Sequence, residues 1–289
     1  MKDNHFLKNN RIEQLILALF FIGTGGFIIM VFRPWQKQFI ADPVQNYLWR
    51  ITVSAILLVL SLLCRRSERF NKYWQLVWAM FILSLALSLD WVFGKFLYNS
   101  LHLSVSEPIG WMIEKLHEVF LVVCVVIIFN KLSGNSLGSI YIQKGNLKLG
   151  FLIGGIAFLV AVAGSIPTAE LLFNAKDLTV ARVLPWSPII LIIVLANGTL
   201  EELLFRGLFL RKLEPFFGKF FSNFLIALVF TVLHKGSTYT SSEYIFLAIL
   251  TPIALVWGWV MQKTDSIWGS ILFHAGMDIP IFLGLFSNL

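Results

Sequence analysis

The 289-residue chain has few charged residues, few cysteines and no long linker or low-complexity stretch. Charged residues make up 13% of it and hydrophobic residues 57%, whereas soluble domains carry about a quarter charged and about half apolar residues. The two cysteines lie within apolar segments, which excludes a disulfide framework and a zinc-ribbon site. The composition therefore predicts an integral membrane protein, for which lipid is the main solvent.

The net charge of +7 comes from short basic clusters between apolar runs, and no basic face for nucleic acid is present. Such clusters are typical of the loops that orient a membrane protein. With the N-terminus in the cytoplasm, the inner loops receive about twice as many Lys and Arg residues as the outer loops, Arg50 being counted among the outer ones. We therefore predict a multi-pass protein of the cell membrane with a cytoplasmic N-terminus, in contact with the lipid bilayer and with no nucleic acid.

Apolar runs of about 20 residues, the length needed to cross a bilayer, recur along the chain. They predict an all-α fold, a polytopic transmembrane helix bundle of about eight or nine spans. The candidate spans are 12–32, 47–64, 73–93, 110–129, 147–172, 187–210, 218–236, 244–262 and 266–286. The polar stretch 130–148 is the best boundary, and it divides the chain into an N-terminal unit of about four spans at 1–145 and a second unit at 146–289.

Two carboxylates and a guanidinium interrupt the sixth apolar run, in the segment EELLFR. A charged side chain at the bilayer centre costs about 2.5–3.5 kcal/mol on insertion scales. Glu202 and Arg206 are four residues apart, so they share a helix face and can pair. Glu201 is rotated from Glu202 by roughly 100° and has no local partner. Glu201 is therefore a candidate general base, although all three residues could instead serve as contacts between helices.

Two further motifs place histidines in apolar runs downstream, FTVLH ending at His234 and HAGMD beginning at His274. Their i, i+4 spacing puts Phe230 on the same helix face as His234, and His274 on the same face as Asp278. A hydrogen bond between His274 and Asp278 would fix the imidazole tautomer. His234 is expected to lie about one or two turns deeper than the other groups, so its helix must be tilted, shifted or broken.

Charged residues of the N-terminal unit are expected at the membrane surface. The segment HEVFL has Leu121 where a zinc-protease motif requires its second His. We therefore interpret Glu114, Lys115 and Glu118 as a solvated helix start. Asp90, near the end of the third run, is expected at the membrane interface.

The motifs Glu-Glu-x-x-x-Arg, Phe-x-x-x-His and His-x-x-x-Asp, in this order on apolar helices, resemble those of the CPBP (Abi) family of intramembrane proteases. That family includes CAAX prenyl endopeptidases and bacteriocin-processing and immunity proteins. The resemblance covers about residues 145–289. It implies that 146–289 is a catalytic transmembrane core, and that the protein is an intramembrane endopeptidase cleaving a membrane-associated peptide or protein.

The resemblance also implies a role for each matching residue. Glu201 would activate a water molecule with help from His234, and His274 with Asp278 would stabilise the oxyanion. Prenyl-protein members commonly carry Asn at the position of Asp278, and an ionised Asp cannot donate a hydrogen bond. Asp278 is therefore protonated, or orients His274, or helps to hold a metal. Three residues are expected to support this group: Glu202, Arg206 and Phe230.

Two mechanisms and two other functions stay open. In a metalloprotease, Glu201, His234 and His274 would hold zinc or another divalent metal; without a metal, glutamate and histidine activate the water directly. The same charges would also suit a non-catalytic membrane protein for bacteriocin self-immunity or one that binds a sensor kinase, with a regulatory membrane protein as partner. A proton-coupled transporter is a weaker alternative.

Overall fold

A computed structural model describes residues 11–32, 39–104, 107–237, 239–240 and 242–288. Some basic residues behind the predicted orientation lie outside these ranges: Lys2, Lys8, Arg33 and Lys37. The orientation therefore stays a prediction.

The described residues form helices and loops without strands, which confirms the all-α class. The helices in chain order are α1 Arg11–Phe32, α2 Pro43–Arg66, α3 Trp74–Phe93, α4 Phe96–Ser100, α5 Pro108–Leu132, α6 Leu147–Ala163, α7 Ser165–Leu172, α8 Val180–Val183, α9 Ser187–Glu201, α10 Leu208–Leu233, α11 Glu243–Thr264 and α12 Trp268–Ser287. A π-helical turn, Glu202–Gly207, joins α9 to α10.

In the described part of the chain, six helices are long and apolar enough to cross a membrane, or seven if the bent pair α6–α7 is one span. This count differs from the predicted eight or nine at two places. The 25-residue helix α5 is not counted, and it carries charged residues near both ends. The stretch Val180–Leu233 counts once, although Gly218 interrupts its helical backbone at φ 73°, ψ 173°.

Gly218 reverses the chain between two of the predicted site residues. A φ of +73° is a conformation that glycine adopts readily and other residues avoid. Gly218 lies midway between Glu201 and His234, which an unbroken helix would hold on the order of 50 Å apart. Both residues instead lie close to His274. Glu201 contacts His274 directly, and His234 and His274 both contact the ring of Phe230. The break at Gly218 lies at the start of the predicted seventh span, and the helix that follows it runs on to Leu233. The expected depth of His234 stays a prediction.

The N-terminal helices bury charged groups between them. Arg50 on α2 is 2% exposed, and it donates hydrogen bonds to Asn46 Oδ1 at 2.6 Å and to the Leu87 carbonyl oxygen at 3.0 Å. The assignment of Arg50 to an outer loop is therefore wrong. Asp90 on α3 is 4% exposed, so it is enclosed by protein; its position at the membrane interface stays a prediction.

The start of α5 is also buried. Lys115 Nζ lies 2.5 Å from Glu118 Oε2, and the two side chains are only 18% and 10% exposed. The expectation of a solvated helix start is therefore wrong, because these charges form a largely enclosed ion pair.

The two predicted units share one hydrophobic core. The ring of Phe21 on α1 contacts that of Phe209 on α10 at a centroid distance of 5.3 Å. The ring of Tyr73, just before α3, stacks on that of Phe216 at 5.5 Å. The division at residue 145 coincides with the loop between α5 and α6 and stays a prediction.

Helices α6 and α12 pack backbone to backbone through glycines. A Cβ atom added at Gly269 would lie 2.6 Å from the Gly150 carbonyl oxygen, and one added at Gly154 would lie 2.4 Å from the Gly269 carbonyl oxygen. Small residues at such contacts let membrane helices approach closely. Because α12 carries His274, this contact fixes the position of that imidazole relative to α6.

Gly269→Val is expected to push α12 away from α6 and to lower the free energy of unfolding by about 1–3 kcal/mol, the usual effect of overpacking. Reversible unfolding in mixed micelles measures this loss. The matched control is Gly155→Val on the same helix pair, because a Cβ at Gly155 meets nothing within 4 Å. Equal losses in both variants would contradict the contact.

Candidate active site

The segment EELLFR lies where α9 changes into the π-helical turn. Glu201 is the last residue of α9, and Glu202 is the first residue of the turn. A π-helical turn widens the helix and is frequent at functional sites. The side chain of Glu202 is fully buried, whereas that of Glu201 is 13% exposed. The two adjacent carboxylates therefore have different surroundings.

Glu202 accepts hydrogen bonds from three side chains. Arg206 Nη1 donates to Oε1 at 2.6 Å, which is the predicted i, i+4 pair. Ser270 Oγ donates to Oε2 at 2.5 Å, and His274 Nδ1 lies 2.8 Å from Oε1. Because several hydrogen bonds fix this carboxylate, it can in turn fix the imidazole of His274.

Both nitrogens of the His274 ring and one of its faces are in contact with other side chains. An ionised carboxylate only accepts, so Nδ1 carries a proton towards Glu202. Nε2 lies 3.4 Å from Glu201 Oε2 and 3.6 Å from Asp278 Oδ1. The indole of Trp257 stacks on the ring at a centroid distance of 3.9 Å and an interplanar angle of 5°. The predicted hydrogen bond from His274 to Asp278 is wrong, because the orienting partner is Glu202.

Asn197 joins Glu201 to Asp278, and the sequence analysis missed it. Its Nδ2 donates to Asp278 Oδ2 at 2.9 Å and to Glu201 Oε1 at 3.3 Å. The expectation that Glu201 has no local partner is therefore wrong. The signal was available, because Asn197 precedes Glu201 by one helical turn and shares its face.

Phe230 lies between the two imidazoles. Its ring centroid is 4.6 Å from that of His234 and 5.9 Å from that of His274. His234 directly follows α10, and its Nδ1 lies 2.9 Å from the Phe230 carbonyl oxygen. Nδ1 therefore carries a proton, and in the neutral ring Nε2 holds the lone pair that can accept one.

Arg206 is fully buried on the far side of the cluster. Its guanidinium lies over the rings of Phe230 and Trp257, 4.8 Å and 5.2 Å from their centroids. Nη2 donates to the Ala254 carbonyl oxygen at 3.1 Å. Arg206 thus ties Glu202 to α11.

A cavity of about 300 Å³ opens beside this cluster. His234, His274 and Asp278 are among its lining residues, and most of the others are apolar side chains of α6, α7, α11 and α12. The lining residues Val160 and Ile249 are 64% and 41% exposed. The cavity therefore reaches the outer surface of the bundle at α6 and α11.

The predicted metal ligands do not fit a metal ion as they stand. Within the part of the chain that the structure describes, no group of three or more His, Cys, Asp and Glu residues could hold one. His274 directs Nδ1 to Glu202, and the Phe230 ring lies between it and His234. Glu201 Oε2 lies 3.4 Å from His274 Nε2.

A helical membrane bundle with an enclosed carboxylate–imidazole cluster beside an apolar cavity is suited to hydrolysis within the membrane. A family model described as "Type II CAAX prenyl endopeptidase Rce1-like" matches residues 183–280. This stretch contains all three motifs and confirms the resemblance to the CPBP (Abi) family. This part of the chain is therefore similar to CAAX-type intramembrane proteases. No curated protein and no protein of solved structure matches the chain significantly.

Proposed function

We propose that this protein is an intramembrane endopeptidase in which Glu201 activates the attacking water molecule. The observation that carries the proposal is the 3.4 Å approach of Glu201 Oε2 to His274 Nε2, with Nδ1 of the same ring held by Glu202. Glu201 suits the role of base better than Glu202, because its side chain is 13% exposed whereas that of Glu202 is fully buried. A positioned carboxylate that removes a proton typically contributes about 10²–10⁴-fold to the rate.

The proposed reaction begins when the water oxygen attacks the peptide carbonyl carbon and a water proton passes to Glu201. The oxyanion that forms accepts a hydrogen bond from Nε2–H of His274. The ring is then an imidazolium, because its Nδ1 also carries a proton, towards Glu202. Asp278 cannot donate while ionised. The amide of Asn197 donates to Asp278 at 2.9 Å and to Glu201 at 3.3 Å, so we assign it the supporting role of holding these two carboxylates in place.

Collapse of the tetrahedral intermediate breaks the C–N bond and leaves a carboxylate and an amine. The leaving nitrogen needs a proton, which Glu201 can return. His234 has an acceptor at Nε2 and lines the cavity, so we propose that it positions the water or passes this proton. No step in this account uses a metal.

We propose an apolar or lipidated peptide as the substrate. The cavity beside the cluster has mostly apolar walls and reaches the bundle surface at α6 and α11. A substrate held in the bilayer could therefore enter sideways, with its apolar part against these walls and its scissile bond beside His274. The volume of about 300 Å³ accommodates a few side chains or part of a lipid chain.

Cells that carry the wild-type protein are expected to release peptides that cells carrying Glu201→Gln do not. Gln keeps the size of the side chain and removes the base, so the released peptides identify both substrate and cleavage site. Mass spectrometry of small peptides, with equal membrane levels of both proteins, measures this difference. Identical peptide patterns, with retained protection against a toxin, would instead favour a non-catalytic immunity or interaction protein.

Purified protein is expected to keep its rate on such a peptide after dialysis against a divalent-metal chelator. The reason is that the cluster around His274 directs its nitrogens to carboxylates. The rate before and after dialysis, and after adding back zinc, measures the effect. A loss that zinc reverses would establish the metalloprotease mechanism with Glu201, His234 and His274 rearranged as ligands.

A further inference from the structure

A second cavity, of about 470 Å³, lies between α10 and α11 and shares no lining residue with the cavity beside His274. Phe220 and Trp259 form part of its apolar wall, and they are 67% and 50% exposed. The cavity is therefore an open groove on the outside of the bundle, where a protein in a bilayer meets lipid. We call it the α10–α11 groove.

Contacts between the two helices fix the shape of the groove. Asn223 Nδ2 on α10 donates to the Leu255 carbonyl oxygen on α11 at 2.8 Å. Gly258 on α11 permits this approach, because a Cβ atom at that position would overlap Asn223 Oδ1. Asn223 and Leu255 both line the groove, so the groove exists before any ligand binds.

Two lysines line the same groove. Lys263 lies in the last turn of α11, and the side chains of Lys219 and Lys263 are both exposed. Gln262 Nε2 donates to the Lys219 carbonyl oxygen at 3.0 Å, which places the two lysines beside each other across the helix pair. No acidic residue is among the described residues that line the groove. The neighbouring carboxylate of Glu214 accepts a hydrogen bond from the same Gln262 side chain at 2.8 Å.

The lining residues of α11 change in character along the helix. Val256, Trp259 and Lys263 are spaced i, i+3 and i+7, so they share one helix face and extend over about 10 Å of helix. An aliphatic side chain is thus followed by an indole and then by a cation at the helix end. A lipid leaflet has the same order, because acyl chains give way to the interfacial layer preferred by Trp and then to charged headgroups.

We propose that the α10–α11 groove binds an anionic phospholipid. The phosphate lies between Lys219 and Lys263, and an acyl chain lies along the wall formed by Val256 and Trp259. Basic pockets between membrane helices are suited to such headgroups, and the apolar wall favours a lipid over a free phosphate ion. The inference goes beyond the proposed function and does not rest on it. A bound lipid would bridge α10 and α11 on the outside of the bundle.

Titration of the purified full chain in neutral detergent micelles, followed by native mass spectrometry, tests the inference. The probes are phosphatidylglycerol and phosphatidylcholine with the same acyl chains. We expect phosphatidylglycerol to bind on the order of 20-fold more tightly, because each lysine near a lipid surface contributes about fivefold for an anionic headgroup. Lys219→Gln with Lys263→Gln is expected to remove this preference and to leave the binding of phosphatidylcholine unchanged.

Two further variants separate a specific site from general attraction to anionic lipid. Arg66→Gln with Lys131→Gln removes the same charge from exposed positions at the ends of α2 and α5, and it is expected to bind like wild type. Val256→Trp keeps both lysines and places an indole in the groove. This variant is expected to bind phosphatidylglycerol about tenfold less tightly.

Three results would overturn the inference. The first is a preference that survives loss of both groove lysines or falls equally in the control pair. The second is displacement of phosphatidylglycerol by an equal concentration of glycerol phosphate, which would make the groove a site for free anions. The third is a dimer whose formation competes with lipid, which would make the groove an interface between copies of the chain. None of these measurements requires peptide cleavage, so their failure leaves the proposed function untouched.

Discussion

His274→Gln is expected to lower the rate of peptide cleavage by about 10²–10⁴-fold, the range for loss of a group that donates to an oxyanion or takes part in proton transfer. The imidazole is the only side chain in the described cluster that contacts both Glu201 and Glu202. Gln can replace one of these contacts but cannot reach both in the same geometry. Initial rates over a range of substrate concentrations measure the loss.

The loss should fall on kcat, with KM nearly unchanged, because the oxyanion exists only after attack of the water molecule. His117→Gln is the matched control. His117 lies on α5, and its Nδ1 contacts the Gly94 carbonyl oxygen at 2.9 Å, away from the cluster. A His274→Gln variant that cleaves within threefold of wild type would contradict the assigned role.

The motifs predicted which helices meet, and the local spacing predicted the contacts within one helix. Glu202 and Arg206 pair as their i, i+4 spacing indicates. The partner of His274 could not be found in this way, because the competing carboxylates lie at Glu202 and Asp278 on different helices. Only the crossing of α9 and α12 decides between them. Gly198 permits that crossing, since a Cβ there would lie 3.1 Å from the Ile271 carbonyl oxygen.

The sequence analysis separated the two helical segments that meet at Gly218, because its sixth and seventh candidate spans end at 210 and begin at 218. The conformation of Gly218, with its positive φ, could not be predicted in the same way, because a glycine between two apolar runs permits such a φ but does not require it. The depth of His234 relative to the other groups stays a prediction.

The buried charges of the N-terminal helices were misjudged for a related reason. Arg50, Lys115 and Glu118 lie near the ends of apolar runs, where basic and acidic residues usually meet water or headgroups. Their burial follows from neighbours that the sequence does not specify. Arg50, for example, lies over the rings of Phe32 and Trp91 at 4.9 Å and 4.8 Å.

Arg206→Met is expected to lower the free energy of unfolding by about 3–5 kcal/mol, the usual effect of removing one partner of a buried ion pair. Glu202 is fully buried, so no water can replace the guanidinium. The variant also loses the contacts of the guanidinium with Phe230 and Trp257. Reversible unfolding in mixed micelles, at equal detergent composition, measures the change.

The double variant Arg206→Met with Glu202→Gln separates the charge from the packing. If the cost comes from an unpaired carboxylate, the second substitution should recover part of the stability lost in the first, because a neutral amide is less costly to bury than a lone charge. Arg211→Met is the matched control: Arg211 is 33% exposed and pairs with Asp265, so the loss should stay within about 1 kcal/mol. A double variant less stable than Arg206→Met would instead mean that Glu202 stabilises the fold mainly through Ser270 and His274. In that case Glu202 would keep its position beside His274 without help from Arg206.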